Sequence, residues 1–232
     1  MTLDRVAYGA FKASVRVLFT LYFRLSIRGD RALVEGPAIV CANHQSLLDA
    51  LLVGLAVRTR VRFVMTELFA NVWGLRWFFR WNRVILMREE SSNREMFKDS
   101  LDALRSAEVL GIFPEGKVSL DGSLADFQPG AISLALRERV PIVPVAIVGA
   151  HRALHRSHRF PRPRKIRIRV GRAIPFDELF PSDASRVDAL EIGARLLAAR
   201  IREMMLIADP MAFAATSSSD AEVSAHEGVE GS

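Results

Sequence analysis

Apolar positions fall along this chain in two alternating forms, compact runs and longer stretches with helical spacing. The first helical stretch, Tyr8 to Leu25, sets Phe11, Val15, Leu18 and Tyr22 along one face with Lys12, Arg16 and Arg24 beside or across from it. Leu25 to Gly29 alternates like a short strand ending at glycine, and Ala38 to Ala42, after the Gly36-Pro37 break, reads as a more buried one. Helical spacing returns from Leu47 to Val57, alternation from Arg60 to Met65, and an aromatic-rich helical stretch from Glu67 to Trp81. Val84 to Met87 is strand-like and ends at Arg88; Arg94 to Ser106 is a helix carrying Met96, Leu101 and Leu104 on its apolar side. Val109 to Phe113 is the next strand, Pro114 to Phe127 a loop, Ala131 to Arg139 a helix and Pro141 to Val148 a strongly buried strand. Ile166, Ile168 and Val170 alternate with Arg167 and Arg169, which marks a half-exposed strand nearer an edge, and Asp183 to Leu206 closes the series as a helix.

Strands and helices in this order predict an α/β fold, a single domain whose mainly parallel, mixed sheet is flanked by helices on both faces. Residues 1–25 are expected to form an amphipathic membrane-associating helix and residues 26–212 the globular domain. From Ala214 onward Ser, Ala, Gly and Glu predominate, with too little apolar mass to offset the entropy of ordering, so 213–232 is expected to be a disordered tail.

Composition narrows the setting. The chain has 232 residues, half of them hydrophobic, enough for one substantial core. Its single cysteine, Cys41, cannot form an internal disulfide and lies in an apolar run, as a small buried side chain would. The formal charge of +6 becomes +10 once Asp220, Glu222, Glu227 and Glu230 of the tail are set aside, so the body is drawn to polyanions, either nucleic acid or anionic headgroups. Basic residues interrupt the N-terminal stretch, and no apolar run reaches the ~20 residues of a spanning helix, so an interfacial or a core-packed amphipathic helix is expected there. All three tryptophans, Trp73, Trp77 and Trp81, lie in one stretch with Arg76, Arg80 and Arg83, a mixture suited to a headgroup boundary or to an aromatic core helix. His151, His155 and His158 invite a metal reading, but arginines surround them and no carboxylate or cysteine accompanies them, so a basic lipid-facing loop is preferred and no metal is expected.

The segment Asn43-His44-Gln45-Ser46-Leu47-Leu48-Asp49 carries the most chemistry. Five positions along a continuous helix is a rotation of about 500°, which would splay His44 and Asp49 about 140° apart. With His44 at a strand end and Asp49 in the first turn of the next helix, the chain folds back and the carboxylate reaches one imidazole nitrogen, leaving the other to take a proton from an alcohol. Asp49 would then fix the tautomer, and a thioester, being already activated, would need no serine nucleophile. The same residues also read as a capping box beside an ordinary loop histidine. A second segment, Phe113-Pro114-Glu115-Gly116-Lys117, follows another buried strand and so opens at the same sheet edge. There Glu115 can bind hydroxyls, Gly116 admits close backbone approach and Lys117 can neutralise a phosphate, although Pro-Glu-Gly is also a routine turn.

Asn43-His44-Gln45-Ser46-x-x-Asp49, Arg88 after an apolar strand, Phe113-Pro114-Glu115-Gly116, and Val140-Pro141-Ile142-Val143-Pro144-Val145 together resemble the four ordered blocks of the glycerolipid acyltransferase family, typified by bacterial 1-acylglycerol-3-phosphate acyltransferase. The resemblance spans roughly residues 25–175. It implies a base at His44 oriented by Asp49, substrate binding around Arg88, Glu115 and Gly116 with Asn43 and Lys117 beside them, and a shaping role near an acyl channel for Pro144. It also implies acyl-CoA or acyl carrier protein thioesters as co-substrates, a lysophospholipid acceptor headed by 1-acyl-glycerol-3-phosphate, and no metal or organic cofactor. A membrane surface at the cytoplasmic face, met peripherally or monotopically, is the implied partner, and nucleic acid is not. One departure stands out: where the family usually continues Thr-Arg-Ser, this chain has Lys117-Val118-Ser119, so phosphate binding would pass to Lys117 and Arg88. A basic residue at that place resembles the lysophospholipid-remodelling branch, which makes another lysolipid the alternative acceptor. The rival from a different class is a non-catalytic basic protein docked on membrane or nucleic acid.

Overall fold

The computed structural model describes residues 2–30, 36–66, 76–87, 94–119, 121–155, 160–180 and 185–210. Arg88, His158, Trp73 and the tail 213–232 lie outside them.

Seven strands form one sheet: β1 (Ser26–Gly29), β2 (Ala38–Ala42), β3 (Val61–Thr66), β4 (Ile85–Met87), β5 (Val109–Ile112), β6 (Ile142–Val148) and β7 (Arg167–Val170). Their order is β1-β7-β6-β2-β5-β3-β4, and every neighbouring pair is parallel except β6 with β7. β7 is therefore reversed and carries β1 with it, which makes the sheet mixed as well as mainly parallel. Ala38–Ala42 lies at the centre and is buried throughout, as a run without polar alternation must be when both faces are covered.

The two faces separate by strand parity. Ile39 and Cys41 of β2, with Ile142 and Ala146 of β6, pack beneath α4 (Arg94–Arg105), α5 (Gly130–Glu138) and the long α8 (Arg186–Ala208). Val40 and Ala42, with Val143, Val145 and Ile147, face α1 (Thr2–Phe23), α2 (Asp49–Ala56) and the short α6 (Ala150–Ala153). Helix α8 buries Ala189, Gly193, Leu197, Ile201, Met204 and Met205 at helical spacing, and Ser185 caps it by accepting the Asp188 N–H. Two further short helices, α3 (Arg76–Trp81) and α7 (Phe176–Leu179), complete the described elements.

Several expected boundaries move. The helix expected from Leu47 begins at Asp49, because residues 43–48 are spent turning the chain back from β2. The apolar face expected on α1 splits. Phe11 and Val15 are half-buried and lean inward with Phe19 and Phe23, whereas Leu18 and Tyr22 are exposed. A second apolar stripe, Val6, Val17 and Leu21, runs along the outside of the same helix. Trp81 is half-buried against α1, edge-on to Tyr8 and Phe11 at 5.4 and 5.5 Å, and its Nε1 donates to Asp4 Oδ1.

Parallel pairing of β2 with β5 and β6 brings three chain exits to one sheet edge: the turn after Ala42, the loop after Ile112 and the turn after Val148. The start of β7 joins them, since Arg167 lies opposite Val148.

Candidate active site

His44 leaves the end of β2 with its main chain held on both sides. Its N–H donates to Glu115 Oε1 at 2.7 Å, and its carbonyl accepts the Ser119 N–H at 2.7 Å. The imidazole Nδ1 lies 2.9 Å from Asp49 Oδ2. That same oxygen accepts the N–H groups of Gln45 at 2.6 Å and Ser46 at 2.7 Å, so the turn 45–48 wraps around the carboxylate. Asp49 is fully buried at the first position of α2, and its other oxygen, Oδ1, is buried with no hydrogen bond. Burial pushes the Asp49 carboxyl upward, while the imidazole and the two backbone N–H groups pull it back. An oxygen already receiving two N–H bonds can take the Nδ1 contact only as a third acceptor bond, so Nδ1 carries the proton and Nε2 offers its lone pair.

The ring of Phe113, from the end of β5, lies nearly flat on the imidazole, 4.2 Å between centroids and 18° between planes. Both rings line a cavity of about 250 Å³ that also meets Leu47, Phe63, Met65, Met87, Met96, Phe97 and Leu134. The lining is overwhelmingly apolar, and His44, Lys117 and Gln128 are its polar members. A titratable ring aimed at an apolar slot can activate a hydroxyl next to a hydrocarbon chain, which a surface histidine could not do.

Gly116, at φ +69°, Lys117 and Val118 also line this cavity. The remaining expected ligands stand differently. Glu115 is buried, receives the His44 N–H on one oxygen and the Ala125 N–H on the other at 3.1 Å, and is not in the cavity wall. Its two oxygens brace the main chain of the site. Burial raises its carboxyl from 4.5 to about 7, against the pull of those two N–H bonds. Asn43 is likewise fully buried: its amide donates to the Ile147 carbonyl at 2.9 Å and accepts the Ile147 N–H at 2.7 Å, extending the β2–β6 ladder by a side chain. Pro144 faces away, opposite Cys41 on β6, in a separate cleft with Gly171 and Met204. Arg88 lies outside the described residues; the preceding Met87 is in the cavity wall.

Sequence reasoning missed the outer clasp. Gln45 Nε2 donates to the Gly122 carbonyl at 2.7 Å, and Ser119 Oγ accepts the Gly122 N–H at 3.0 Å and bonds Asp121, tying loop 119–123 to the histidine turn. Hydrogen bonds from Ser123 and Ser119 hold Asp121 down at about 2. His151 packs so closely over Gly122 that a Cβ there would lie 2.5 Å from its ring, and burial lowers its basicity. Among the described residues, no three His, Cys, Asp or Glu side chains converge as a metal site would need. Cys41 is fully buried in the core, which pushes its thiol far up.

Two consequences can be measured. Asn43→Ala should destabilise the protein by about 2–3 kcal/mol in denaturant titrations, because the N–H and C=O of Ile147 lose their partner inside the core. Glu115 binds its proton more tightly in the folded chain than in the unfolded one. Its contribution to stability is therefore full below pH ~4.5 and is lost as pH rises to about 7. Melting curves of wild type and Glu115→Gln should shift against each other across that window, wild type losing ground with rising pH, and run parallel above pH ~8.

A family model described as Acyltransferase matches residues 24–148. A putative 1-acyl-sn-glycerol-3-phosphate acyltransferase, acl-2, of Caenorhabditis elegans is 31% identical over 166 residues, covering 68% of this chain and 57% of the relative. The 1-acyl-sn-glycerol-3-phosphate acyltransferase of Cocos nucifera is 30% identical over 165 residues, 66% of this chain and 52% of that one. The human beta form is 28% identical over 179 residues, 75% and 64% respectively. The chain thus spans a little over half the length of these relatives. Its fold is shared with the crystal structure of the 1-acyl-sn-glycerophosphate (LPA) acyltransferase PlsC from Thermotoga maritima, at a TM-score of 0.70 and 20% identity over 86% of this chain and 80% of that one.

Proposed function

Because the chain belongs to the acyltransferase family, we propose that it transfers a fatty acyl group from a thioester of coenzyme A or acyl carrier protein to a hydroxyl of a lysophospholipid, with 1-acyl-glycerol-3-phosphate as the leading acceptor in phospholipid synthesis. The observation that carries this reading is the His44–Asp49 pair at 2.9 Å, buried on its acid side and open to an apolar cavity on the other. In this scheme Nε2 takes the proton of the acceptor hydroxyl as the oxygen attacks the thioester carbonyl. The tetrahedral intermediate then collapses, the carbon–sulfur bond breaks, and the imidazolium returns the proton to the departing sulfur. Asp49 stabilises the imidazolium between those steps, and the backbone N–H groups of Lys117 and Val118 are the candidate donors to the oxyanion. The acyl chain lies along Met65, Met96 and Leu134, and Lys117 with Arg88 meets the acceptor's phosphate. A scheme of this kind calls for no metal or organic cofactor. Val118, in the cavity wall where the family usually has arginine, favours as second reading an acceptor whose phosphate is a diester, as in lysolipid remodelling.

The membrane reading rests on α1. Among the described residues no helix is long and apolar enough to cross a bilayer, but Val6, Val17, Leu18 and Leu21 stand 59–77% exposed along its outer side. Phe160, 74% exposed, belongs to a segment tied to the end of α1 by the Tyr22 hydroxyl, which donates to the Pro161 carbonyl. Arg162, Arg164 and Lys165 follow it on the surface. The end of α1 meets the start of β7, through the Ile166 N–H to Phe23 carbonyl bond, at the sheet edge that also carries His44. Apolar side chains beside cations suit an anionic bilayer at the cytoplasmic face better than a polynucleotide.

His44→Ala and Asp49→Asn should each lower acyl transfer by about 10²–10⁴-fold, followed as labelled acyl chain appearing in diacyl lipid. His44→Ala should keep its circular dichroism, and near-normal turnover in that variant would end the reading. Val17→Glu with Leu21→Glu should weaken sedimentation with phosphatidylglycerol-containing vesicles by roughly tenfold or more, since each buried leucine contributes about 1.5–3 kcal/mol. Unaltered sedimentation would remove α1 from the docking surface.

A further inference from the structure

The imidazole of His44 is restrained at its edge by Asp49, but a hydrogen bond at one nitrogen leaves the ring free to rock about that bond. Phe113 covers one face of the ring at 4.2 Å and 18°. Beside Phe113 lies Phe63, nearly parallel to it at 10° with 6.1 Å between centroids. Phe63 in turn stands opposite Gly111 in the β3–β5 register, and a Cβ on that glycine would fall 2.5 Å from the Phe63 ring. The absence of a side chain at residue 111 leaves room for the ring of Phe63 to lie over the strand next to Phe113. From strand to imidazole the series is continuous: Gly111, Phe63, Phe113, His44.

The geometry points to Phe113 as a positioning residue for the reaction: with Phe63 parallel beside it, its ring fixes the tilt of the His44 imidazole and so the direction in which Nε2 presents its lone pair to the acceptor hydroxyl. Offset stacking of aromatic rings contributes only modestly beyond burial, but a base must be held in near-attack geometry, and small angular errors there are costly to rate. Phe113 also belongs to the cavity wall, so a second role, simple contact with the acyl chain, has to be separated from the first.

The kinetic test rests on the acyl-transfer reading and uses two donors, butyryl-CoA, too short to fill the cavity, and palmitoyl-CoA. In Phe113→Leu, kcat should fall about tenfold or more with both donors, because the loss lies in the transition state. Phe113→Tyr, which keeps the ring, should stay within about threefold of wild type, and Phe63→Leu should fall between the two. A Phe113→Leu enzyme with unchanged kcat for butyryl-CoA and a raised KM for palmitoyl-CoA would make Phe113 a wall and nothing more, and overturn the inference. The spectroscopic test needs no turnover. The carbon-bound ring protons of His44, assigned by their loss in His44→Ala, should sit upfield in wild type under the Phe113 ring current and move downfield in Phe113→Leu. Unmoved resonances in a folded Phe113→Leu protein would contradict the stack even if the acyl-transfer reading itself had failed.

Discussion

The proposed activity depends on a carboxylate kept inside the protein. Asp49 is fully buried, and one of its oxygens gathers the imidazole of His44 and the N–H groups of Gln45 and Ser46. An isolated charge in such a place would be prohibitively desolvated; here the turn 45–48 is folded around it so that backbone dipoles supply part of what water would have given. The arrangement works in both directions. The carboxylate organises the turn that ends β2 and starts α2, and the turn fixes the carboxylate where only one nitrogen of the histidine can reach it.

Around that centre the sheet edge supplies successive restraints on one residue. Glu115 holds the His44 N–H, Ser119 its carbonyl, Asp49 its Nδ1 and Phe113 its ring face. Each restraint comes from an exit of β2 or β5, adjacent parallel strands, so the topology alone brings them within reach. Among the described residues, Nε2 has no such restraint, and His44 borders the apolar slot. In the proposed acyl transfer, an imidazole immobilised in this way would need little reorganisation when a proton moves, which is where rate is gained.

The sequence carried much of this in readable form. A spacing of five between His44 and Asp49 cannot pair them on a continuous helix and can do so across a strand-to-helix turn, a reading that stood beside a capping box with an ordinary loop histidine. Polar residues inside the same motifs were harder. Glu115 and Asn43 looked like ligands because they are polar and lie beside the base, yet both satisfy main-chain groups left unpaired where strands end. Side-chain letters do not show which backbone N–H will lack a partner. Pro144 illustrates a different limit: it belongs to a recognisable block, but its place on β6 puts it toward Gly171 and Met204, in another cleft. On α1, apolar residues run on two sides, and periodicity cannot rank which one meets the core. The reversed direction of β7 was equally silent, since alternating Ile and Arg specify a half-covered strand and not its sense.

The central claim is that an acyl thioester lies in the apolar cavity with its carbonyl before an imidazole still held by Asp49. A crystal structure of the protein with a non-hydrolysable acyl thioether analogue of the donor tests it most directly. The chain should lie along Met65, Met96 and Leu134, and the atom replacing the carbonyl carbon should leave room for an acceptor oxygen between itself and Nε2, with that oxygen about 3–3.5 Å from the carbon position. A chain bound elsewhere, or an imidazole swung off Asp49 when the cavity fills, would contradict it.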